Sequence, residues 1–432
     1  MTGAGHTAMP DGAAQRIELV DALRGVALMG IVQVNIQCFT WGSGNVLGYL
    51  RQPPGDAESA LYFLQSALVE GKFYPMFAFL FGAGVVLQLR KARRGGLGRA
   101  AARAIQRRRL AFLFVAGLLH GTLLYCGDVL SAYAVCGLIF LPLAGARPRS
   151  LVRFAWGAGL AAVLSLFVPM GLDRLAGSDG GDEGEFESVS AEAGATQSDD
   201  EAAGELPDSI VSAHEIYVHG GFAAQWPQRL EDELWQQVGT VPTFWPQVIA
   251  LFALGALAGR LGWLARPGRH PHVWRWALRI GLGTGLPFAL LGAAMDLAAA
   301  RATPGAEDAW VGVAVGLGSL LSAAYVAGTV RALGHPNAAP LRRALALAGR
   351  MSLSNYLMQS LVMAALLTGW GLGWGADATR GQLAALGLLI FGLELLWSRW
   401  WLGRHRQGPM EALWRRWTYR TRPASAAGPP SG

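Results

Sequence analysis

Cysteine, lysine and charged residues in general are scarce in this sequence of 432 residues. It has three cysteines, with no CxxC pair and no Cys/His spacing of the kind that binds zinc, which excludes a metal-stabilised fold. The absence of a P-loop, a GxSxG nucleophile elbow and a zinc-protease motif excludes those enzyme classes. Only 15% of the residues are charged and 52% are hydrophobic, with a mean hydropathy of +0.31. That composition is too apolar for a soluble protein of this length.

Positive charge is confined to short segments between apolar ones. The formal net charge is +7, and its densest run is the basic segment 90–109, which separates apolar residues 73–89 from 110–126. Arginine and lysine collect in the cytoplasmic loops of membrane proteins, because the translocation of cations is unfavourable and the inner leaflet is anionic. The pattern therefore indicates a polytopic membrane protein with a cytoplasmic basic segment. It does not indicate a nucleic-acid-binding surface.

Apolar segments of near bilayer-spanning length predict an all-α fold with about ten transmembrane helices. The predicted spans are residues 20–40, 73–89, 110–126, 129–145, 151–172, 244–264, 276–297, 309–332, 352–372 and 382–402. If the N-terminus is inside, every arginine-rich connection falls on the cytoplasmic side, and the opposite connections carry few cations. The sequence thus predicts that both termini are cytoplasmic.

The same pattern divides the chain into five regions. They are a flexible cytoplasmic N-terminus (1–19), a membrane region of five helices (20–172), an acidic and partly disordered extracytoplasmic loop (173–243), a second membrane region of five helices with an amphipathic cytoplasmic end (244–420) and a disordered tail (421–432). Within the loop, residues 179–208 are acidic and nearly free of large apolar groups, which is typical of disorder. The aromatic-rich residues 214–235 predict either an amphipathic helix at the outer surface or a helical lead-in to the sixth span.

His120 and Asp128 are the candidate catalytic residues. His120 lies about ten residues beyond the inner boundary of its predicted span, hence about 15 Å into the bilayer at 1.5 Å per residue. Imidazole exchanges a proton near neutral pH, so a buried histidine suits general base catalysis or a proton relay. If the turn before Asp128 folds back, its carboxylate can orient the imidazole. The structural alternatives are that His120 bonds a neighbouring helix and that Asp128 caps the next span.

Other polar side chains in the predicted spans are candidates for a substrate cavity, because polar groups in a bilayer face protein, water or a ligand. They are Arg24, Asn35, Lys72, Asn355 and Gln359. For Asn355 and Gln359, hydrogen bonding between helices explains the pattern about as well as a substrate contact. For Lys72, the alternative is that the side chain snorkels to the interface.

Two further pairs bear on the structure of the spans. Glu394 is a lone acid in the tenth predicted span, and pairing with the nearby Arg399 is its expected role. The cysteines are expected to pack as small apolar residues. Cys38 and Cys126 both map to the outer face, so a disulfide between them is an alternative.

Several motifs in one order carry a resemblance to a known family. They are LVDALRGVALMGIVQVN (19–35), GKFYPMFAFLFG (71–82), RRL…GLLH (108–120), GDVLSAYA (127–134), GRMSLSNYLMQS (349–360) and GPMEALWR (408–415). On these pieces the chain resembles the YeiB-like family of bacterial inner-membrane proteins, which carry a domain of unknown function. The resemblance covers both membrane regions, and the acidic loop falls outside it. It adds Tyr133, in the fourth motif, to the candidate cavity residues.

That family is similar to the wider group of membrane acyltransferases that includes heparan-α-glucosaminide N-acetyltransferase and bacterial sugar O-acetylases. The resemblance implies an acyl group moved from a cytoplasmic CoA thioester to a sugar or lipid acceptor across or within the bilayer. Arginines of the basic segment would then hold the CoA phosphates, namely Arg93, Arg94, Arg108 and Arg109. His120 would act as general base or carry the acyl group. The O-acetylases have a key histidine in the first span, where this chain has Asn35 and no histidine.

The sequence therefore predicts a multi-pass protein of the bacterial inner membrane, with an acyltransferase as the leading function. No tightly bound cofactor and no metal are expected, and acyl-CoA would be a co-substrate. A small-solute or proton-coupled transporter, with His120, Asp128 and Asn355 along its pathway, is the second interpretation. A non-catalytic membrane scaffold is the third.

Overall fold

The computed structural model describes residues 11–41, 56–165, 208–239, 241–302 and 309–419, which are helical with no strand among them. The helices are α1 (Asp11–Trp41), α2 (Asp56–Leu68), α3 (Tyr74–Arg94), α4 (Arg99–Leu123), α5 (Leu130–Phe140), α6 (Pro148–Ser165), α7 (Asp208–His219), α8 (Phe222–Gly239), α9 (Phe244–Leu261), α10 (Pro271–Ile280), α11 (Leu286–Ala302), α12 (Ala309–Gly318), α13 (Leu321–Gly334), α14 (Ala339–Arg350), α15 (Ser352–Leu367), α16 (Arg380–Leu402) and α17 (Pro409–Tyr419). The all-α prediction is confirmed for these residues.

Four helical stretches in the described residues are long and apolar enough to cross a membrane. They are Glu18–Thr40, Phe244–Leu261, Pro271–Ala298 and Arg380–Leu402. Two shorter apolar helices are Leu130–Phe140 and Ser352–Leu367. The third of the long stretches is continuous because a π-helical turn, Gly281–Gly285, joins α10 to α11. By their length and composition, these helices suggest a membrane protein.

Several predicted spans differ from the helices at their ends or in their continuity. The segment predicted to be flexible up to residue 19 is helical from Asp11, since its residues include good helix formers such as alanine, glutamine and arginine. The basic segment is also largely helical, and only the turn 95–98, with Gly96 at φ +85°, separates α3 from α4. The predicted span 309–332 is two helices, because α12 ends at Gly318. Residues 179–207 of the acidic loop and the tail 421–432 lie outside the described residues.

α1 lies at the centre of the fold, where small residues allow close helix packing. Its residues Ala22, Leu23, Ala27, Leu28 and Val32 are fully buried. A Cβ atom built on Gly349 of α14 would lie 1.8 Å from the carbonyl oxygen of Asp21 in α1. This contact of glycine with backbone brings the end of α14 against the start of α1. Arg24 and Arg350 are therefore brought to the same end of the molecule.

α8 has a polar buried face and an apolar exposed face, the reverse of a helix on a soluble protein. Gln225, Arg229, Asp232 and Glu233 are buried, at spacings of four, three and one residue that place them on one side of the helix. The exposed side chains include Trp226, Leu234, Trp235 and Val238. Residues 214–235 thus form parts of two helices, α7 and α8, and the second has the character of a helix that lies at a membrane surface.

The expected pairing of Glu394 with Arg399 is wrong, and the alternative of a disulfide between Cys38 and Cys126 is not realised. Both carboxylate oxygens of Glu394 are buried and have no hydrogen-bond partner among the described residues, while Arg399 is exposed. The two side chains are five residues apart on α16, so the helix turns them to different sides. Cys38 and Cys126 are not joined by a disulfide.

Candidate functional site

His120 and Asp128 form a buried pair at the turn between α4 and α5. His120 is in the last turn of α4, and residues 124–129 reverse the chain so that Asp128 returns to the helix it has just left. His120 Nδ1 lies 2.9 Å from Asp128 Oδ1, and both side chains are at most 1% exposed. A Cβ atom on Gly117 would lie 2.5 Å from Asp128 Oδ2, so the glycine provides the space for the carboxylate. The turn thus folds back, which is the condition under which the Asp128 carboxylate can orient the imidazole.

The geometry fixes which nitrogen of His120 is available for chemistry. Asp128 Oδ1 accepts a hydrogen bond from Nδ1–H when the imidazole is neutral, which leaves the lone pair on Nε2. Nε2 is buried and has no hydrogen-bond partner among the described residues. Asp128 Oδ2 accepts a hydrogen bond from the backbone N–H of Ser131 at 3.0 Å, so the residue also caps α5, as the structural alternative proposed. An oriented imidazole with an unpaired nitrogen is the arrangement of a general base.

Tyr356 of α15 completes the cluster around the pair. Its hydroxyl donates to Asp128 Oδ1 at 3.3 Å, and its ring centroid lies 4.8 Å from that of His120. The ring centroid of Tyr125 lies 5.7 Å from that of His120. Tyr356 is not among the residues predicted from the sequence, although it lies in the motif with Asn355 and Gln359. No feature of the sequence marks Tyr356 as a site residue, because it is the packing of α15 against the α4–α5 turn that brings the phenol to the pair.

A cavity of about 230 Å³ lies on the other side of Tyr356. Of the sequence-predicted residues, Arg24, Arg109 and Tyr133 line it. The wall also contains three polar residues that were not predicted from the sequence, namely Gln106, Arg350 and Glu411. His120 is not part of the wall, so Tyr356 is the side chain that connects the cavity to the His120–Asp128 pair.

Three guanidinium groups and one carboxyl group, that of Glu411, line the cavity, so cations outnumber anions in its wall. Arg24 Nη1 is 2.7 Å from Asp21 Oδ1, and the charge of Arg350 also acts on Asp21. The Arg109 guanidinium lies 4.0 Å from the ring centroid of Trp414, whose indole N–H donates to the Arg109 carbonyl oxygen at 3.0 Å. α17 thereby fixes Arg109. Arginine groups in a partly enclosed cavity suit phosphate or carboxylate ligands.

Three of the four arginines proposed to bind donor phosphates do not line this cavity. Arg93, Arg94 and Arg108 are exposed on the basic segment, and Arg109 alone is in the wall. The reason is helical phase: Gln106, Arg109 and Leu113 share the inward face of α4, whereas Arg108 is turned about 100° away from Arg109. Arg93 and Arg94 lie more than one turn beyond Gln88, the last residue of α3 in the wall.

Four polar residues proposed for the cavity have other positions. Asn35 is buried in α1, and Lys72 is 2% exposed with its ammonium donating to the Ser66 carbonyl oxygen at 2.6 Å, which also excludes snorkelling. The Asn355 amide donates to Ser398 Oγ at 3.0 Å and to the Ala348 carbonyl oxygen, so Asn355 joins helices. Gln359 is fully buried, and none of its side-chain atoms has a hydrogen-bond partner among the described residues. None of the four lines the cavity.

Comparison with known proteins places the chain among uncharacterised relatives. Residues 258–421 match the family model described as "Protein of unknown function (DUF418)". The uncharacterised protein YeiB of Escherichia coli K12 is 29% identical over 96% of this chain and 98% of its own length. The uncharacterised YxaH of Bacillus subtilis is 25% identical, and an uncharacterised 39.9 kDa protein of Bacillus acidopullulyticus is 28% identical, each over 94% of both chains. No solved structure matches the chain.

Proposed function

The chain belongs to the YeiB-like family of uncharacterised proteins, and from that premise we propose that it is an acyltransferase of the bacterial inner membrane. The observation that carries the proposal is the buried His120–Asp128 pair, joined through Tyr356 to a cavity with three arginines in its wall. The His120–Asp128 pair supplies a base, and the arginine-walled cavity suits an anionic acyl donor. Acyl transfer from a CoA thioester needs both, because CoA carries phosphates and the acceptor hydroxyl must lose a proton.

In the proposed topology, about ten spans cross the bilayer and both termini are cytoplasmic. Arg24, Arg109 and Arg350 then lie at the cytoplasmic side, where acyl-CoA is found. The His120–Asp128 pair lies towards the opposite face. The donor would enter through the arginine-walled end with its phosphates there, and its acyl arm would lie along apolar lining residues such as Leu110 and Leu113.

Reporter fusions test this topology. Fusions after Arg108, Arg269 and His405 should report a cytoplasmic location, because each follows an arginine-rich connection. Fusions at Asp200 and Gly375 should report an extracytoplasmic location. The Asp200 fusion is the decisive one, since a cytoplasmic signal there would reverse the loop that separates the two membrane regions and overturn the model.

The proposed reaction transfers an acyl group from sulfur to oxygen. His120 Nε2 takes the proton of an acceptor hydroxyl as its oxygen attacks the thioester carbonyl carbon, and the C–S bond then breaks. The imidazolium returns the proton to the departing thiolate, so the products are the acylated acceptor and free CoA. Asp128 stabilises the imidazolium between the two steps, and Tyr356 holds Asp128 in place. The acceptor is a sugar or lipid hydroxyl that reaches the pair from the membrane or the outer side.

Donor binding provides the direct test. Purified protein should bind acetyl-CoA, and Arg350→Gln should weaken that binding about ten- to hundredfold, as expected for the loss of one charge-assisted contact of about 1.5–3 kcal/mol. Arg350 suits the test because it lines the cavity while being exposed. Isothermal titration or a filter-binding assay with labelled acetyl-CoA measures the change.

Arg93→Gln is the matched control, since Arg93 is exposed and lies outside the cavity wall. It should leave the affinity within about twofold, the range expected for a distant surface charge. Equal effects of the two substitutions would reject the cavity as donor site. If acetyl-CoA does not bind at all, the acyltransferase proposal fails, and proton-coupled transport through the His120 site becomes the function to test.

A further inference from the structure

The buried face of α8 brings a second carboxyl group to the His120 site. Gln237 is one turn beyond Glu233 on the same helix, and its amide donates to the backbone carbonyl oxygen of Asp128 at 3.0 Å and to Ser131 Oγ at 2.9 Å. The same amide donates to Glu233 Oε1 at 2.8 Å. Glu233 is therefore linked through one side chain to the turn that carries Asp128.

The other buried polar residues of α8 have complete structural roles. Arg229 donates to the Leu123 carbonyl oxygen at 3.0 Å, which satisfies the C-terminal end of α4. Asp232 accepts from the hydroxyl of Tyr217 at 2.7 Å, and Gln225 donates to the Tyr217 carbonyl oxygen at 2.9 Å, so both attach α8 to α7. Glu233 differs, because its Oε2 atom is buried and has no hydrogen-bond partner among the described residues.

Glu233 reaches the site through a gap left by glycine. A Cβ atom on Gly121 would lie 2.5–2.7 Å from the atoms of the Glu233 carboxyl group. Any side chain at position 121 would therefore displace that carboxyl group. The titratable and charged groups around Glu233 are Asp128 of the turn and Tyr356 of α15, with Arg229 one turn before it and Asp232 next to it on the buried face of α8. The fold thus brings the carboxyl group of Glu233, from α8, to the turn that carries Asp128.

We propose that Glu233 is a positioning residue of the His120 site, whose carboxyl group fixes the Gln237 clamp on the turn that carries Asp128. This inference rests on the proposed role of His120. α8 lies outside the stretches able to span the membrane, and burial, followed by the negative charge of Asp128, raises the pKa of Glu233 to about 8. Two adjacent buried carboxylates repel each other, so the neutral form keeps Asp128 as the one carboxylate beside His120.

The raised pKa of Glu233 makes the folded protein less stable at higher pH. The pKa of Glu233 is higher in the folded protein than its ordinary value of 4.5. Unfolding therefore releases a proton between about pH 4.5 and pH 8, and the contribution of Glu233 to stability is lost as the pH rises through that window. Glu233→Gln keeps a neutral hydrogen-bonding group in the same shape and removes the titration.

The experiment compares Glu233→Gln, Glu233→Ala and the control Asp232→Asn in the full-length protein. The difference between the infrared titrations of the wild-type protein and of Glu233→Gln should be a protonated carboxyl band with a midpoint near pH 8, and that band should persist in Asp232→Asn. In Asp128→Asn the midpoint of that band should move to lower pH, because a repelling charge has gone. The fall in thermal midpoint between pH 5 and pH 8 should be smaller in Glu233→Gln than in the wild-type protein.

Transfer activity separates a positioning role from mere packing. Glu233→Gln should keep at least about half of the wild-type rate at pH 7, while Glu233→Ala should lose about tenfold, as expected for the loss of a buried hydrogen bond. An infrared titration that Glu233→Gln leaves identical to that of the wild-type protein, or a midpoint that Asp128→Asn leaves unchanged, would overturn the inference. The infrared and stability measurements need no substrate, so their success with no acyl transfer would reject the proposed function and leave the placement of Glu233 intact.

Discussion

Replacing His120 with glutamine is expected to abolish acyl transfer while acetyl-CoA binding remains within about twofold of wild type. Glutamine keeps a hydrogen-bonding amide next to Asp128 but cannot take a proton, and the loss of a general base costs about 10²- to 10⁴-fold in rate. The donor phosphates are proposed to bind at Arg24, Arg109 and Arg350, on the other side of Tyr356 from the imidazole. Transfer of labelled acetyl groups and acetyl-CoA binding, measured on one preparation, check both halves.

His219→Gln is the control for this substitution. Its imidazole is exposed near Glu215 on α7, outside the site, so both transfer and binding should remain at wild-type levels. His120→Ala should be as inactive as His120→Gln. Full transfer activity in His120→Gln would mean that the residue serves to pack α4 against its neighbours, and the base would have to be sought elsewhere. In a transporter, the same substitution would change the pH dependence of solute uptake, and CoA would have no effect.

The central features of the site could be predicted from the sequence because they are local. His120 and Asp128 are separated by a short glycine-containing turn, so a fold-back was enough to bring them together. The basic segment likewise placed arginines close to the membrane boundary, and Arg109 does line the cavity. The all-α class followed from apolar segments that are long compared with any strand.

What the sequence could not give depends on contacts between distant segments. Tyr356 and Glu233 reach the pair from helices more than one hundred residues away, and neither stands out by composition. Helical phase decided which arginine of the basic segment faces inwards, a distinction that a count of charges cannot make. Asn355 and Ser398 illustrate the reverse case, because a polar residue in a span proved to be a contact between helices.

A second large effect is expected at Gly255, where α9 crosses α3. A Cβ atom on Gly255 would lie 1.8 Å from the carbonyl oxygen of Phe79, and one on Gly82 would lie 2.1 Å from that of Phe252. The obstacle is backbone on both sides, so a side-chain rotation cannot relieve the clash. Gly255→Ala should therefore destabilise the protein by about 3 kcal/mol, the upper end of the usual cost of overpacking, with a clear fall in the thermal midpoint.

Gly157→Ala on α6 is the matched control, because a Cβ atom there meets nothing within 4 Å. In that position alanine should raise stability slightly, by up to about 1 kcal/mol, since glycine is the poorer helix former. The two substitutions add the same methyl group to a helical glycine, and their opposite signs isolate the effect of the crossing. Thermal midpoints of the purified proteins in one detergent give the comparison. Equal midpoints for the two variants would mean that α3 and α9 do not approach as closely as 1.8 Å requires, and that the wall formed by α3 is misplaced.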